Sequence, residues 1–412
     1  MLTLNEAVDR VLKGHSELPI ERLPLALTYG RVLAEDVISP RSIPPWDNSA
    51  MDGYAVRSSD VTAQPVVLKV LETIPAGSMP THSLIEGTCS KIMTGAPMPD
   101  GADSVIIVED SRVVGDDLVE LSEISFSGKN VREKGNDVAF GSTVLAVGHY
   151  LDAAAVGMLS SLGISAVSVY QKPIVAILST GDEVVEVGNP LEEGQIYSSN
   201  NHTLAGLVAE AGGQPMDCGI APDDPAGLQE CLARCLRADL ILTTGGVSMG
   251  DFDFVKEALE AHGSSLDFWK VAIKPGKPLA YGTIGGKPAF GLPGNPVSCM
   301  VNFHEFVRPV MRRMMGDSRG FLPVIKARLD VKIKKRPGRA LFARLTLGQA
   351  SDGAIVASPL TNQSSGALTS MVVADGLGYL NVSAGTAEVG ETISVQVLNW
   401  RWMERDSTGL ND

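Results

Sequence analysis

Three glycine-bearing loops draw attention first, because their backbone amides could hold an anion. They are Ser179-Thr180-Gly181-Asp182-Glu183, Thr243-Thr-Gly245-Gly246-Val-Ser248-Met-Gly-Asp251 and Leu292-Pro293-Gly294-Asn295-Pro296-Val-Ser298. One such loop is weak, since glycine is also the ordinary turn residue; three within one stretch of chain point to a phosphate cradle. Carboxylates lie in or beside them at Asp182, Glu183, Asp251 and Asp253. Hard oxygen ligands beside a phosphate cradle suit Mg²⁺, which bridges anionic oxygens and keeps several waters. The competing reading of Asp251 and Asp253 is a helix N-cap.

Lys274-Pro-Gly-Lys277-Pro278 sets two ammonium groups on a stiff turn, suited to aiming charge at an anion. Between Lys326 and Arg344, eight basic residues face one acid, Asp330, and read as a solvated strand face. Two further loops are dense in polar chemistry. Trp46–Ala55 holds two carboxylates, two aromatics and a glycine, and Ile92–Pro97 is a second glycine-bearing turn.

Other spacings are decoys. Gly246-Val-Ser-Met-Gly250 matches a hydrolase nucleophile elbow, with Asp267 and His304 in the right chain order. But His304 falls on the apolar stripe of Val297, Met300, Val301 and Met311, and reads as a core histidine. Cys231 and Cys235 share a stripe with Leu228 and Leu232 and read as core, not as a zinc site. No G-x-x-x-x-G-K-[ST], G-x-G-x-x-G or H-E-x-x-H motif occurs.

The elements that must position these loops follow from periodicity. Thr3 with Glu6 forms a capping box for a helix to Leu12, stopped at Gly14. From about Pro40 to Asp137, short apolar runs (Val66–Val70, Val105–Val108, Leu118–Leu121) predict a β-rich region. A helix near Asp152–Leu162 and a strand Ile164–Tyr170 follow. From Pro173 to about Gly320, strands (Ile174–Leu178, Asp239–Thr243) alternate with helices. The helices carry Leu204–Ala211, Leu228–Leu236, Phe254–Ala261 and Val297–Met314. That alternation implies a parallel sheet covered on both faces. After Leu322 only strands are read, at Lys326–Lys334, Leu341–Leu347, Ala354–Ala357, Gly378–Val382 and Thr392–Leu398, a small all-β module.

Composition sets the outer limits. At 412 residues the chain is too long for one ordinary domain and long enough for large cores. With 34 basic and 48 acidic residues, 34 − 48 = −14. That balance argues against nucleic acid or an anionic membrane as main partner. The five scattered cysteines do not form a disulfide framework, and no apolar run spans a bilayer. A cytoplasmic, soluble protein is expected.

The motifs also occur in a telling order: DNSAMDGYA (Asp47–Ala55), KIMTGAP (Lys91–Pro97), STGDE (Ser179–Glu183), TTGGVSMGD (Thr243–Asp251), KPGKP (Lys274–Pro278) and GLPGNPVS (Gly291–Ser298). Together they resemble the molybdopterin molybdenumtransferases, the MoeA and gephyrin E-domain family, over essentially the whole chain. The resemblance implies a multidomain α/β plus β protein with four domains. These are 1–44 with 138–172, a β-rich domain 45–137, a doubly wound, mostly parallel α/β domain 173–322 like molybdopterin adenylyltransferase, and a C-terminal β-barrel 323–412. It implies a homodimer that performs Mg²⁺-dependent cleavage of adenylylated molybdopterin, inserts molybdate and releases AMP. An adenylyltransferase and molybdoenzyme maturation proteins are the implied partners. By motif position Asp52, Thr94, Asp137, Glu183, Asp224 and Asp253 are the implied catalytic residues, with Pro293 and Pro296 beside the substrate. Lys274, Lys277, Arg344 and Ser370 match the molybdate ligands. Two rival functions are nucleotide transfer one step earlier and a gephyrin-like scaffold.

Overall fold

The computed structural model describes residues 1–222, 225–245 and 265–404. The chain divides into two compact units, one of residues 1–22, 30–34 and 168–412, the other of residues 23–29 and 35–167.

In the larger unit a six-stranded sheet runs in the order Gln214–Ala221, Ile174–Thr180, Leu240–Thr244, Lys287–Leu292, Pro278–Ile284, Ser265–Lys270. Its first four strands are parallel and the last two antiparallel. Side-chain alternation gives the central strands two buried faces. Val175, Ile177, Leu240 and Leu242 enter one core, while Ala176, Leu178 and Ile241 enter another with Leu228, Leu232 and Cys235. Cys231 and Cys235 are thus core residues, and all five cysteines are free and buried. The antiparallel edge was not read from the periodicity, although its signal is present: Gly285-Gly286 joins the two strands, with φ of +56° and +76°. Two successive positive φ angles match the strand twist at a two-residue hairpin, and glycine adopts them without steric cost.

The Leu4–Leu12 helix starts as the capping box requires: Glu6 N–H donates to Thr3 Oγ1 at 3.3 Å and Thr3 N–H to Glu6 Oε2 at 2.8 Å. Its Ala7 and Val11 join the first core. The expected single helix Val297–Met314 is interrupted. Two α-helical pieces, Pro296–Asn302 and Arg308–Met314, flank a π-helical turn, Phe303–Val307. Pro309 has no N–H for the Glu305 carbonyl, so the chain widens and Arg308 N–H reaches back to Phe303 O. His304 sits in this turn, buried as expected.

Beyond it, five strands (Val324–Leu329, Ala340–Gln349, Ile355–Pro359, Gly376–Leu380, Thr392–Val397) close into a barrel through pairing of the second with the fourth. The first strand ends at Leu329, not Lys334. The lysines beyond it belong to a loop, which corrects the solvated-strand reading. A four-residue helix, Thr369–Val372, also interrupts the expected run of strands. Strand Ile273–Lys274 adds to this sheet alongside Ala340 and Leu341.

The smaller unit is β-rich. Its six-stranded sheet runs Ser104–Ile107, Gly53–Val56, Thr88–Ile92, Val66–Ile74, Leu118–Leu121, Ser111–Val113. Helix Ala153–Ser161 is capped by Asp152, whose carboxylate accepts from Ala155 N–H at 2.9 Å.

Candidate active site

In an open α/β sheet, ligands bind beyond the carboxyl ends of the parallel strands. Three adjacent strands of the larger unit end here in the predicted glycine loops. With the start of helix Ser199–Glu210 the loops enclose a cavity of about 530 Å³. Ser179, Thr180, Glu183, Gly245, Pro293 and Asn295 line it, as do Gly294 and Pro296. Gly181 and Asp182 belong to the same turn but are not part of the wall. Gly246, Ser248, Asp251 and Asp253, like Asp224, lie outside the described residues, as do the expected Phe254–Ala261 helix and the whole of the elbow-like pentapeptide.

The loops approach each other closely. Gly245 has φ of +86°, and a Cβ there would stand 2.4 Å from the Thr180 carbonyl oxygen. Only glycine fits. A Cβ on Gly294 would be 3.7 Å from the Gly245 Cα, so the second and third loops touch.

Sequence reasoning missed the residues that tie these loops together. Asn200 donates from Nδ2 to Thr244 Oγ1 and to the Gly294 carbonyl, both at 2.8 Å. Its Oδ1, with Ser198 Oγ and Thr180 Oγ1, is buried and finds no partner among the described residues. All three residues line the cavity. Buried polar atoms without partners cost free energy, so three on residues that line one cavity mark where a polar ligand would complete the bonding. The available signal was the polar run Ser198-Ser-Asn-Asn201 opening a helix, where free N–H groups and the helix dipole favour anions. Ser179 is differently engaged: its hydroxyl donates to Asn201 Oδ1 at 2.6 Å.

Arg344 and Ser370 come together. The Arg344 side chain is 1% exposed, and Nε donates to Ser370 Oγ at 3.2 Å. Burial pulls its guanidinium down to about 10, still protonated at neutral pH. It also donates to the Ser364 carbonyl at 3.1 Å, while Val297 N–H donates to the carbonyl of Ser365 at 3.1 Å. The barrel pair therefore abuts the third glycine loop.

The Lys274–Pro278 turn divides its residues. Pro278 lines the glycine-loop cavity, whereas Lys274 and Lys277 line a second, basic cavity. Asn302, fully buried, holds the turn by donating to the Pro278 carbonyl at 3.1 Å.

In the smaller unit Asp52 and Thr94 form a pair. The Thr94 backbone N–H and hydroxyl both donate to Asp52 Oδ1, at 2.7 and 2.8 Å. These two donors hold the Asp52 carboxyl below the usual range. Asp137 is exposed, in a loop whose backbone N–H donates to the Ile43 carbonyl at 3.0 Å. That loop and the Asp47–Ala55 segment are joined where Lys134 N–H donates to Asp47 Oδ1 at 2.7 Å.

Residues 2–163 match the MoeA N-terminal region (domain I and II), residues 176–313 a probable molybdopterin binding domain, and residues 326–398 the MoeA C-terminal region (domain IV). The molybdopterin molybdenumtransferase of Haemophilus influenzae is 38% identical over 405 residues, 97% of this chain and 99% of its own. The chain belongs to the MoeA family. A family member from Nostoc sp., also named molybdopterin molybdenumtransferase, is 40% identical over 78% of this chain and 76% of its own. Among solved structures, a molybdopterin biosynthesis moeA protein from Pyrococcus horikoshii superposes with a TM-score of 0.83 at 31% identity. That match covers 96% of this chain and all of that one.

The expected Mg²⁺ would need a group of hard oxygen donors. No group of three or more metal-ligating side chains occurs among the described residues. Of the expected ligands only Glu183 is described. It lines the cavity beside partnerless hydroxyl and amide oxygens, a hard-oxygen setting that fits magnesium.

Proposed function

We propose that this chain inserts molybdenum from molybdate into adenylylated molybdopterin and releases AMP in a Mg²⁺-dependent step. The observation that carries this reading is the cavity formed by three glycine loops and a helix start, where Thr180, Ser198 and Asn200 carry partnerless polar atoms, bordered by Pro278 of the lysine turn and abutted by the Arg344–Ser370 pair. In this reading the backbone amides of the loops hold the phosphates, and Asn200 fixes the distance between the second and third loops. Glu183, with Asp251 and Asp253, would hold the magnesium ion, which when bound would neutralise charge developing on the phosphoanhydride oxygens. Lys274, Lys277, Arg344 and Ser370 are the molybdate ligands. Asp52, Thr94, Asp137 and Asp224 complete the catalytic set.

The chain works as a homodimer in the cytoplasm, receiving its substrate from an adenylyltransferase and passing product to maturation proteins. No described helix is long and apolar enough to cross a membrane. Light scattering that returned a stable 43.4 kDa particle would remove the dimer.

The deciding experiment separates lysine from carboxylate. A lost cation costs roughly ten- to a hundredfold in anion binding, which excess ligand offsets. A lost metal ligand removes stabilisation that no substrate concentration restores. Lys277→Ala should therefore raise the molybdate requirement for AMP release, and Asp253→Ala should abolish release at any molybdate concentration. A Lys277→Ala enzyme that responded to magnesium and not to molybdate would overturn the assignment.

A further inference from the structure

The basic loop between the first two barrel strands does not lie along a solvated strand. Lys332, Lys334, Arg336 and Arg339 come together with Lys274 and Lys277 around a cavity of about 980 Å³ that, among the described residues, is lined by a single acid, Glu388. A seventh cation, Lys335, is structural, its ammonium donating to the carbonyls of Ala384 at 2.6 Å and Val382 at 3.4 Å. The other six have no carboxylate partner among the described residues.

Their convergence is built into the backbone. Ile333 and Ala387 exchange hydrogen bonds of 2.9 and 3.0 Å, and Gly338 N–H donates to Val382 O at 2.9 Å. Lys274 is paired with Leu341 on the strand that follows the loop, and Ala340 N–H donates to Ala272 O at 2.7 Å. Six like charges repel, and the chain carries a net charge of −14 with only 34 basic residues to place. Such a concentration of unpaired cations attracts anions strongly, whereas the rest of an acidic surface repels them. The cavity stands at the upper end of small-ligand sites and far exceeds one tetrahedral anion. Exposed, flexible side chains supply charge without a fitted shape.

We propose that this cleft is a collecting site for tetrahedral oxyanion dianions of the molybdate class. Lys332, Lys334, Arg336 and Arg339 bind such ions loosely, raise their local concentration, and pass them to Lys274 and Lys277. The destination rests on the function proposed above; the binding does not. Sulfate and tungstate bind there too, because charge and not shape selects.

Equilibrium dialysis of the full chain against molybdate at low ionic strength tests this directly. Wild type should hold more than one molybdate per chain. Lys334→Glu combined with Arg336→Glu should lose the weaker class, with affinity down at least roughly tenfold and a shallower salt dependence. Circular dichroism and a thermal melt check folding, and Lys334→Gln with Arg336→Gln replaces the reversal variant if it is unstable. Unchanged stoichiometry and affinity in the folded variant would overturn the proposal. So would displacement of molybdate by poly-glutamate at far lower concentration than by sulfate, which would mark an acidic-peptide site.

Assaying AMP release on the same proteins keeps the two readings apart. Lost dialysis binding in a chain that never releases AMP would sink the function and leave the collecting site standing. Normal AMP release with an unchanged molybdate requirement and unchanged dialysis would do the reverse.

Discussion

Arg344 Nε donates to Ser370 Oγ at 3.2 Å, joining a barrel strand to a single helical turn 26 residues later. The guanidinium is enclosed, so the bond has structural as well as ligand-binding consequences. Ser370→Ala leaves a buried N–H unpaired and should cost roughly 1–3 kcal/mol in urea unfolding. Arg344→Ala also strands the carbonyl of Ser364 and opens a void, and should cost more. If both variants unfolded like wild type, the pair would be ornamental to the barrel.

Asp52 and Thr94 should act as a unit. Asp52→Ala removes both contacts with Thr94, whereas Thr94→Val removes the hydroxyl contact and keeps the backbone one, so adding Thr94→Val to Asp52→Ala should lose little further activity. Thr94 also keeps the Asp52 carboxyl depressed, and that carboxyl stays ionised until the pH falls through its lowered value. Thr94→Val withdraws the hydroxyl donor and should move the acid limb of kcat/KM to higher pH. An acid limb that did not move would detach Asp52 from the titration.

Asn200 offers a sharper test of the phosphate cavity. Asn200→Ala removes the brace between two loops and should destabilise by roughly 1–3 kcal/mol. Asn200→Asp keeps the size but sets a carboxylate toward the proposed phosphates. AMP should then raise the melting temperature of wild type and fail to raise that of Asn200→Asp. An equal AMP-induced shift in both would place the nucleotide elsewhere.

Glu305 governs a pH effect distant from the cavity. Burial in the π-helical turn pushes its carboxyl up to about 7 from the usual 4.5. A raised carboxyl favours folding below the unfolded value, and that contribution is lost as pH rises through about 7. Wild type should lose roughly 2–3 kcal/mol between pH 5 and 8 that Glu305→Gln retains. Burial holds its neighbour His304 down to about 4, but that group is common to both proteins and cancels. Thermal melts across this range check it, and parallel curves would show that Glu305 is not the titrating group.

What could be read without coordinates was local, or was carried by a run of contiguous residues. The Thr3–Glu6 capping box, the helix near Asp152–Leu162, the alternating strands of the α/β region and the buried stripe of Cys231 and Cys235 each depend on residues within one or two turns. The glycine loops were legible for the same reason, and so was the family, because its motifs are unbroken segments. Residues that meet only after folding were not. Asn200 is 44 positions from Thr244 and 94 from Gly294, and nothing in its neighbours announces the bonds it makes. Lys274 and Lys277 read as aimed at an anion, but only pairing with the barrel strand shows that they line the basic cleft. Lys334 and Arg336 read as a solvated strand, because charge density along a chain says nothing of where the chain turns. The helix over Val297–Met314 kept its apolar period through a π turn, since one missing N–H at Pro309 alters hydrogen bonding and leaves the burial pattern intact. Periodicity reports which face is apolar; sheet order, loop convergence and the partners of buried polar atoms are set by contacts between segments far apart in the chain.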